Sequence, residues 1–216
     1  MTMQYHNIII EPVGLAGDLS IPEGSHSLVL FAHGSGSSRL SPRNTYVAKE
    51  LQKAGLSTLL FDLLTEEEAA NRNNVFDIPF LAQRLVTATD WVRSLAYLNS
   101  MDIGYFGAST GAAAALVAEV KTKHYIHAVV SRGGRPDLAL SVLPQVKAPT
   151  LLIVGGLDTG VIELNEQAHA ALTCEKELQI VAGATHLFEE TGTLDQVIDL
   201  TKNWFINHMK KIEKTA

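Results

Sequence analysis

The chain has 216 residues, 46% of them hydrophobic and 19% charged, which suits one globular domain with a substantial core. A formal charge of −6 argues against non-specific nucleic-acid binding. No apolar run is long enough to span a bilayer, and the single cysteine, Cys174, excludes an internal disulfide and a cysteine-based zinc site. Met1 to Ile10 has neither a basic head nor a cleavage-site pattern, so no signal peptide and a cytoplasmic location are expected.

In chain order, Asn7 to Val13 and Gly14 to Ile21 read as an antiparallel hairpin that stops at Pro22-Glu23-Gly24. Ser27 to Ala32 is a continuous apolar run, as expected of a strand buried on both faces, and it delivers the loop His33-Gly34-Ser35-Gly36-Ser37-Ser38. Pro42 to Ala54 predicts a helix with Ser41 as N-cap and Gly55 as its stop. Ser57 to Leu64 predicts a second buried strand. Thr65 to Asn74 is polar and acidic and reads as a solvated loop or one helical turn, with a short flap near a site as the alternative. Leu81, Leu85, Ala88, Val92 and Leu95 recur at helical spacing and predict a long amphipathic helix over Asp77 to Leu98.

Next comes the most informative stretch, Gly107-Ala108-Ser109-Thr110-Gly111, between the strand-like run Ile103 to Phe106 and the alanine-rich helix-like run Ala112 to Val120. Strand, sharp turn and helix make the context in which G-x-S-x-G is a nucleophile elbow, with the serine forced into sparsely populated backbone angles. The competing reading is an ordinary loop whose serine caps the helix. Further strands are expected at Ile126 to Val130, Thr150 to Val154 and Leu178 to Val181, and helices at Val161 to Leu172 and Leu194 to Lys210, with a frayed tail after that. His124 and His127 are three apart on strand-like sequence and face opposite ways, so no metal site is expected there.

Strands alternating with helices predict a mostly parallel sheet whose ligand site lies beyond the carboxyl ends of the strands. Ser109, Asp158 (in Gly155-Gly156-Leu157-Asp158) and His186 (in Gly183-Ala184-Thr185-His186) all fall at such ends. Together they supply a hydroxyl nucleophile, an imidazole to take its proton and a carboxylate to fix the imidazole tautomer. Two backbone N–H groups must also face the developing oxyanion. Thr110 and Ser35 are the expected donors, with Gly36 as the alternative and as a substrate contact. Arg132, in Ser131-Arg132-Gly133-Gly134-Arg135-Pro136-Asp137, ends a strand at the same edge and is the candidate for binding an anionic substrate, against a purely bracing role. Arg135 reads as a surface salt-bridge residue. His33 reads as structural.

The whole chain resembles the α/β hydrolases, specifically the small, lidless dienelactone hydrolase-like group. The resemblance is carried by His33-Gly34, Gly-Ala-Ser109-Thr-Gly, Gly156-Leu157-Asp158 and Ala184-Thr185-His186. It implies an α/β-hydrolase fold without a large cap domain, with Ser109 as nucleophile, His186 as general base and Asp158 as its orienting acid. It also implies an acyl-enzyme route on a small-molecule ester or thioester, with no cofactor, no nucleic acid and no membrane. True dienelactone hydrolases use a cysteine where this chain has Ser109, so lactone specificity does not carry over. The Ser131 to Asp137 stretch also resembles hydrolases found fused to phosphoribosyltransferases. Two other readings remain. One is a binding or scaffold protein that keeps the fold without turnover. The other is a nucleotide-binding reductase, suggested by Gly34-Ser35-Gly36 and Asp62 but opposed by Arg39 in the third glycine position.

Overall fold

The computed structural model describes residues 2–209; the tail expected after the last helix lies outside them. Eight strands form one sheet in the order β1-β2-β4-β3-β5-β6-β7-β8. They are β1 (Met3–Ile10), β2 (Leu15–Pro22), β3 (Ser27–Ala32), β4 (Ser57–Phe61), β5 (Asp102–Ala108), β6 (Ala128–Arg132), β7 (Thr150–Gly155) and β8 (Lys176–Val181). The β1–β2 and β2–β4 pairings are antiparallel and every other pairing is parallel. This is the expected N-terminal hairpin leading into a parallel sheet. Strands β3, β4, β6 and β7 are buried at every position, because helices cover both faces. The edge strands β1 and β8 keep exposed positions.

The helices are α1 (Pro42–Lys53), α2 (Glu66–Ala70), α3 (Arg72–Phe76), α4 (Ile78–Ser94), α5 (Thr110–Lys121), α6 (Thr159–Ala171) and α7 (Thr193–His208). Alternate strand residues feed two cores. Val29, Phe31, Phe106 and Val130 pack with Val47 and Leu51 of α1 and Phe205 of α7. Leu28, Leu30, Ile103 and Val129 pack with Leu81 and Leu85 of α4, Leu116 of α5 and Ala168 of α6.

Several boundaries depart from the sequence reading. α4, expected to reach Leu98, ends at Ser94 with Leu95 already extended, and β6, expected over Ile126 to Val130, runs from Ala128 to Arg132. β1 starts at Met3, because its register with β2 runs unbroken from Met3↔Pro22 to Ile10↔Leu15. β4 stops at Phe61, because the Leu63 N–H leaves the sheet and donates to the His33 ring at 3.1 Å. The stretch at 65–74, read as a solvated loop or one helical turn, forms two short helices, α2 and α3. Thr65 and Glu68 make a reciprocal capping box that starts α2, and the Asn71 side chain caps α3.

Candidate active site

The parallel register sets the ends of the strands level: Ala32 pairs with Gly107, Ala108 with Arg132, Arg132 with Ile153 and Gly155 with Val181. The loops carrying residues 33–36, 109, 133–135, 158 and 186 therefore leave from one edge.

Ser109 has φ 51° and ψ −122°, a left-handed conformation that a serine does not adopt without constraint. Backbone bonds impose it. Its N–H donates to Arg132 O at 3.3 Å, and its carbonyl accepts from Ala112 N at 3.1 Å and Arg135 N at 3.0 Å. The side chain makes no capping bond to α5, so the hydroxyl is not spent on the helix end. Gly111 is required by packing, since a Cβ there would lie 2.1 Å from Ala32 O. That contact seats α5 against the end of β3 and brings the 33–36 loop to the serine.

A Cβ at Gly34 would lie 3.0 Å from Ser109 Cβ, so that loop runs directly beside the elbow. Its turn is closed by Ser37 N–H donating to Gly34 O at 3.2 Å, with Gly36 at φ 69°. The Ser35 N–H donates to Thr110 Oγ1 at 2.9 Å, a link between the two expected hole donors that the sequence did not reveal. His33 braces the loop. Its Nε2 accepts the Leu63 N–H, which assigns the proton to Nδ1, 3.0 Å from Gly34 O. Burial holds the His33 pKa below the ordinary imidazole value, against smaller upward effects from the Gly34 carbonyl and Asp62.

On the other side of the elbow, His186 Nδ1 lies 2.6 Å from Asp158 Oδ2. Asp158 occupies the N-cap position of α6, yet its side chain makes no cap bond. The two loops are laced together by Leu157 N–H donating to Ala184 O at 2.9 Å. The histidine loop is held by Glu190, which accepts from Thr185 N at 3.0 Å and Thr185 Oγ1 at 2.6 Å. These bonds hold the Glu190 pKa below the usual carboxylate range. Phe188, at φ 56°, turns its ring into the core beneath. The backbone at Gly133 lies against His186, so the 132–135 turn touches both the serine and the histidine loops. Asn165 of α6 secures that turn, donating to Gly134 O at 3.0 Å.

Arg132 does not take the expected place at the cleft. It is 6% exposed, and its Nη2 donates to Asn44 Oδ1 of α1 at 3.1 Å, with its guanidinium 6.0 Å from the Phe188 ring centre. Strand parity explains this: Arg132 follows Ala128 and Val130 onto the face covered by α1 and α7. Burial, with Arg43 adding to it, pushes its pKa down to about 10, so it stays charged at neutral pH. Arg135 pairs bidentately with Asp137 at 2.8 Å. Cys174 lies on the connection before β8, with its Sγ 3.8 Å from Thr150 Oγ1, and burial pushes the thiol pKa up.

A cleft of about 370 Å³ opens beside the elbow on the β3–β4 side, between the 33–39 loop, Asp62 to Glu66, Ala69, Val75 and Leu81. Gly36 lines it. Among the described residues no cluster of His, Cys, Asp and Glu could hold a metal ion, and no helix is long and apolar enough to cross a membrane.

A strained serine after the central parallel strand, with an acid and a histidine on later loops of the same edge, is the arrangement of the α/β hydrolases. The dienelactone hydrolase family model matches residues 29–203, and the chain belongs to that family. A solved structure described as dienelactone hydrolase from Anabaena variabilis is 53% identical, with TM-score 0.93 over 96% of this chain and 99% of that one. Est1E from Butyrivibrio proteoclasticus, 14% identical with TM-score 0.79 over 97% of this chain and 99% of that one, shares the fold. A Mycobacterium tuberculosis protein named "Putative phosphoribosyl transferase" is 56% identical over 202 residues, 94% of this chain and 46% of its own length. The chain thus spans about half the length of the curated relatives it matches.

Proposed function

We propose that this chain is one serine-hydrolase domain that cleaves a small carboxylic ester or thioester through an acyl-enzyme. The observation that carries the reading is Ser109, held at φ 51° with its hydroxyl left out of the helix cap. His186, oriented through Nδ1 by Asp158, takes the Ser109 proton at Nε2 as Oγ attacks the carbonyl carbon. The oxyanion is received by the N–H of Thr110 and of Ser35, with Gly36 the alternative to Ser35. The Ser35 N–H already faces the Thr110 hydroxyl, which must share or yield it when the oxyanion forms. Collapse breaks the bond to the leaving alkoxide or thiolate, which receives the proton from His186. Water then gives its proton to His186, attacks the acyl carbon and releases the acid, and the proton returns to Ser109. The chemistry calls on no cofactor, nucleic acid or membrane, and a lone, half-buried cysteine suits a cytoplasmic protein.

The test is labelling with a fluorophosphonate. Modification is expected at Ser109, and Ser109→Ala is expected to lose both labelling and hydrolysis of short p-nitrophenyl esters while keeping the native circular dichroism spectrum. Asp158→Asn should lower turnover at least a hundredfold by setting the wrong tautomer. Near wild-type turnover in Ser109→Ala would refute the assignment.

A further inference from the structure

The sheet order gives the two sides of Ser109 different jobs. β5 carries the serine, with β6, β7 and β8 on one side and β3, β4 and β2 on the other. The acid and histidine loops follow β7 and β8. A histidine that protonates the leaving group must reach the leaving oxygen, so the alcohol or thiol portion lies on the β6–β8 side. The acyl group then extends the opposite way, past Gly34 and Ser35, into the cleft on the β3–β4 side. That cleft has an apolar wall formed by Leu63, Leu64, Ala69, Val75 and Leu81.

Its charges are already matched. Arg39 is the one Lys or Arg of the lining; Asp62 pairs with its guanidinium through Nη1 at 2.5 Å and also accepts from its backbone N–H at 2.7 Å. Asp18 lies 3.3 Å from the Arg39 Nε, and Glu66 adds a further carboxylate at the rim. A carboxylate brought into this cleft would meet a cation held by two acids, with a third acid nearby. Arg132, the cation the sequence offered for an anionic substrate, is buried under α1 instead.

We propose that this cleft is the acyl site and that it selects neutral, apolar acyl chains of medium length against chains ending in a carboxylate. The proposal rests on the Ser109–His186 reading above. The α2–α3 pair, which supplies Ala69 and Val75, is then the element that sets chain length. Each methylene buried along the apolar wall should raise kcat/KM about fourfold until the cleft is filled.

The experiment compares p-nitrophenyl acetate, hexanoate and hemiglutarate on the wild type and on Ala69→Trp. Ala69 is an exposed residue of α2 that lines the cleft. The wild type is expected to favour hexanoate over both acetate and hemiglutarate by at least tenfold. Ala69→Trp should lower hexanoate at least tenfold more than acetate, so that the hexanoate-to-acetate ratio falls to about one. A flat chain-length profile, a preference for hemiglutarate, or an equal loss on acetate and hexanoate in the variant would overturn the proposal. Calorimetric titration of hexanamide into both proteins reads the cleft without turnover. Binding to the wild type that weakens at least tenfold in Ala69→Trp supports the acyl site even if no ester is cleaved, in which case the hydrolytic reading alone fails. No binding to the wild type overturns the acyl site.

Discussion

Ser109 and Asp158 both stand at helix starts, where either side chain could ordinarily cap the N-terminus. Neither does: one hydroxyl is left free and one carboxylate is turned to His186. That distinction cannot be read from residue type, because serine and aspartate are favoured at N-caps for their own sake. It was the order of Ser109, Asp158 and His186 at strand ends that made them legible together. The residues that brace the loops around them were not legible: Asn165, Asn44 and the Thr110 hydroxyl act through contacts between segments distant in the chain, and Glu190 through a loop turn that residue type alone does not announce. Arg132 shows the limit from the other side. Period-two alternation does place it on the face of Ala128 and Val130, but only the packed structure shows α1 closing over that end of β6. A guanidinium buried there depends on its hydrogen bonds, and the compact ammonium of lysine cannot reproduce the fork. Arg132→Lys should therefore cost about 1–3 kcal/mol, lowering Tm by about 2–4 °C for each kcal/mol in a domain of this size. It should also reduce turnover of neutral and anionic esters of equal acyl length by the same factor. A loss confined to the anionic ester, with Tm unchanged, would restore Arg132 as a substrate contact.

At the scale of elements, the buried strands and the long helices followed from apolar runs and helical spacing, whereas the 65–74 stretch stayed open between a solvated loop and one helical turn. The signal of α2 was present in Thr65-Glu66-Glu67-Glu68, the spacing of a capping box, but three successive glutamates resemble a solvated loop as much as a first helical turn. The 33–36 loop offers a test of how an element depends on one ring. His33 must be neutral to accept the Leu63 N–H, and burial lowers its pKa, so the folded state binds the proton less readily than the unfolded chain. The stabilisation is therefore fully present above the unfolded value of about 6.5 and is lost as pH falls through the lower, folded value. His127, also lowered by burial, contributes in the same direction. Thermal melting between about pH 7 and pH 5 should show Tm falling with acid, and falling less steeply in His33→Asn. Equal slopes for the two proteins would mean that protonation of this ring is not coupled to folding.

At the scale of the molecule, the site depends on two cores that share one sheet. Leu28, Leu30 and Ala32 of β3 point into the layer of α4 and α5, while Val29 and Phe31 of the same strand point into the layer of α1 and α7. Neither layer can melt without removing half the side-chain contacts of the central strands. The loops bearing Ser109 and His186 would lose their footing with either layer, because α5 follows the serine and α7 packs behind Phe188. The chain's two tryptophans report on the layers separately: Trp91 of α4 packs against one core and Trp204 of α7 is buried in the other. In urea, Trp91→Phe and Trp204→Phe should each show one fluorescence transition, and in each variant its midpoint should coincide with that of the circular dichroism of the same protein. A fluorescence midpoint for either remaining tryptophan displaced from the loss of secondary structure would mean that one helical layer detaches while the sheet persists. Sharing of strands between the cores would then not be what makes the fold cooperative.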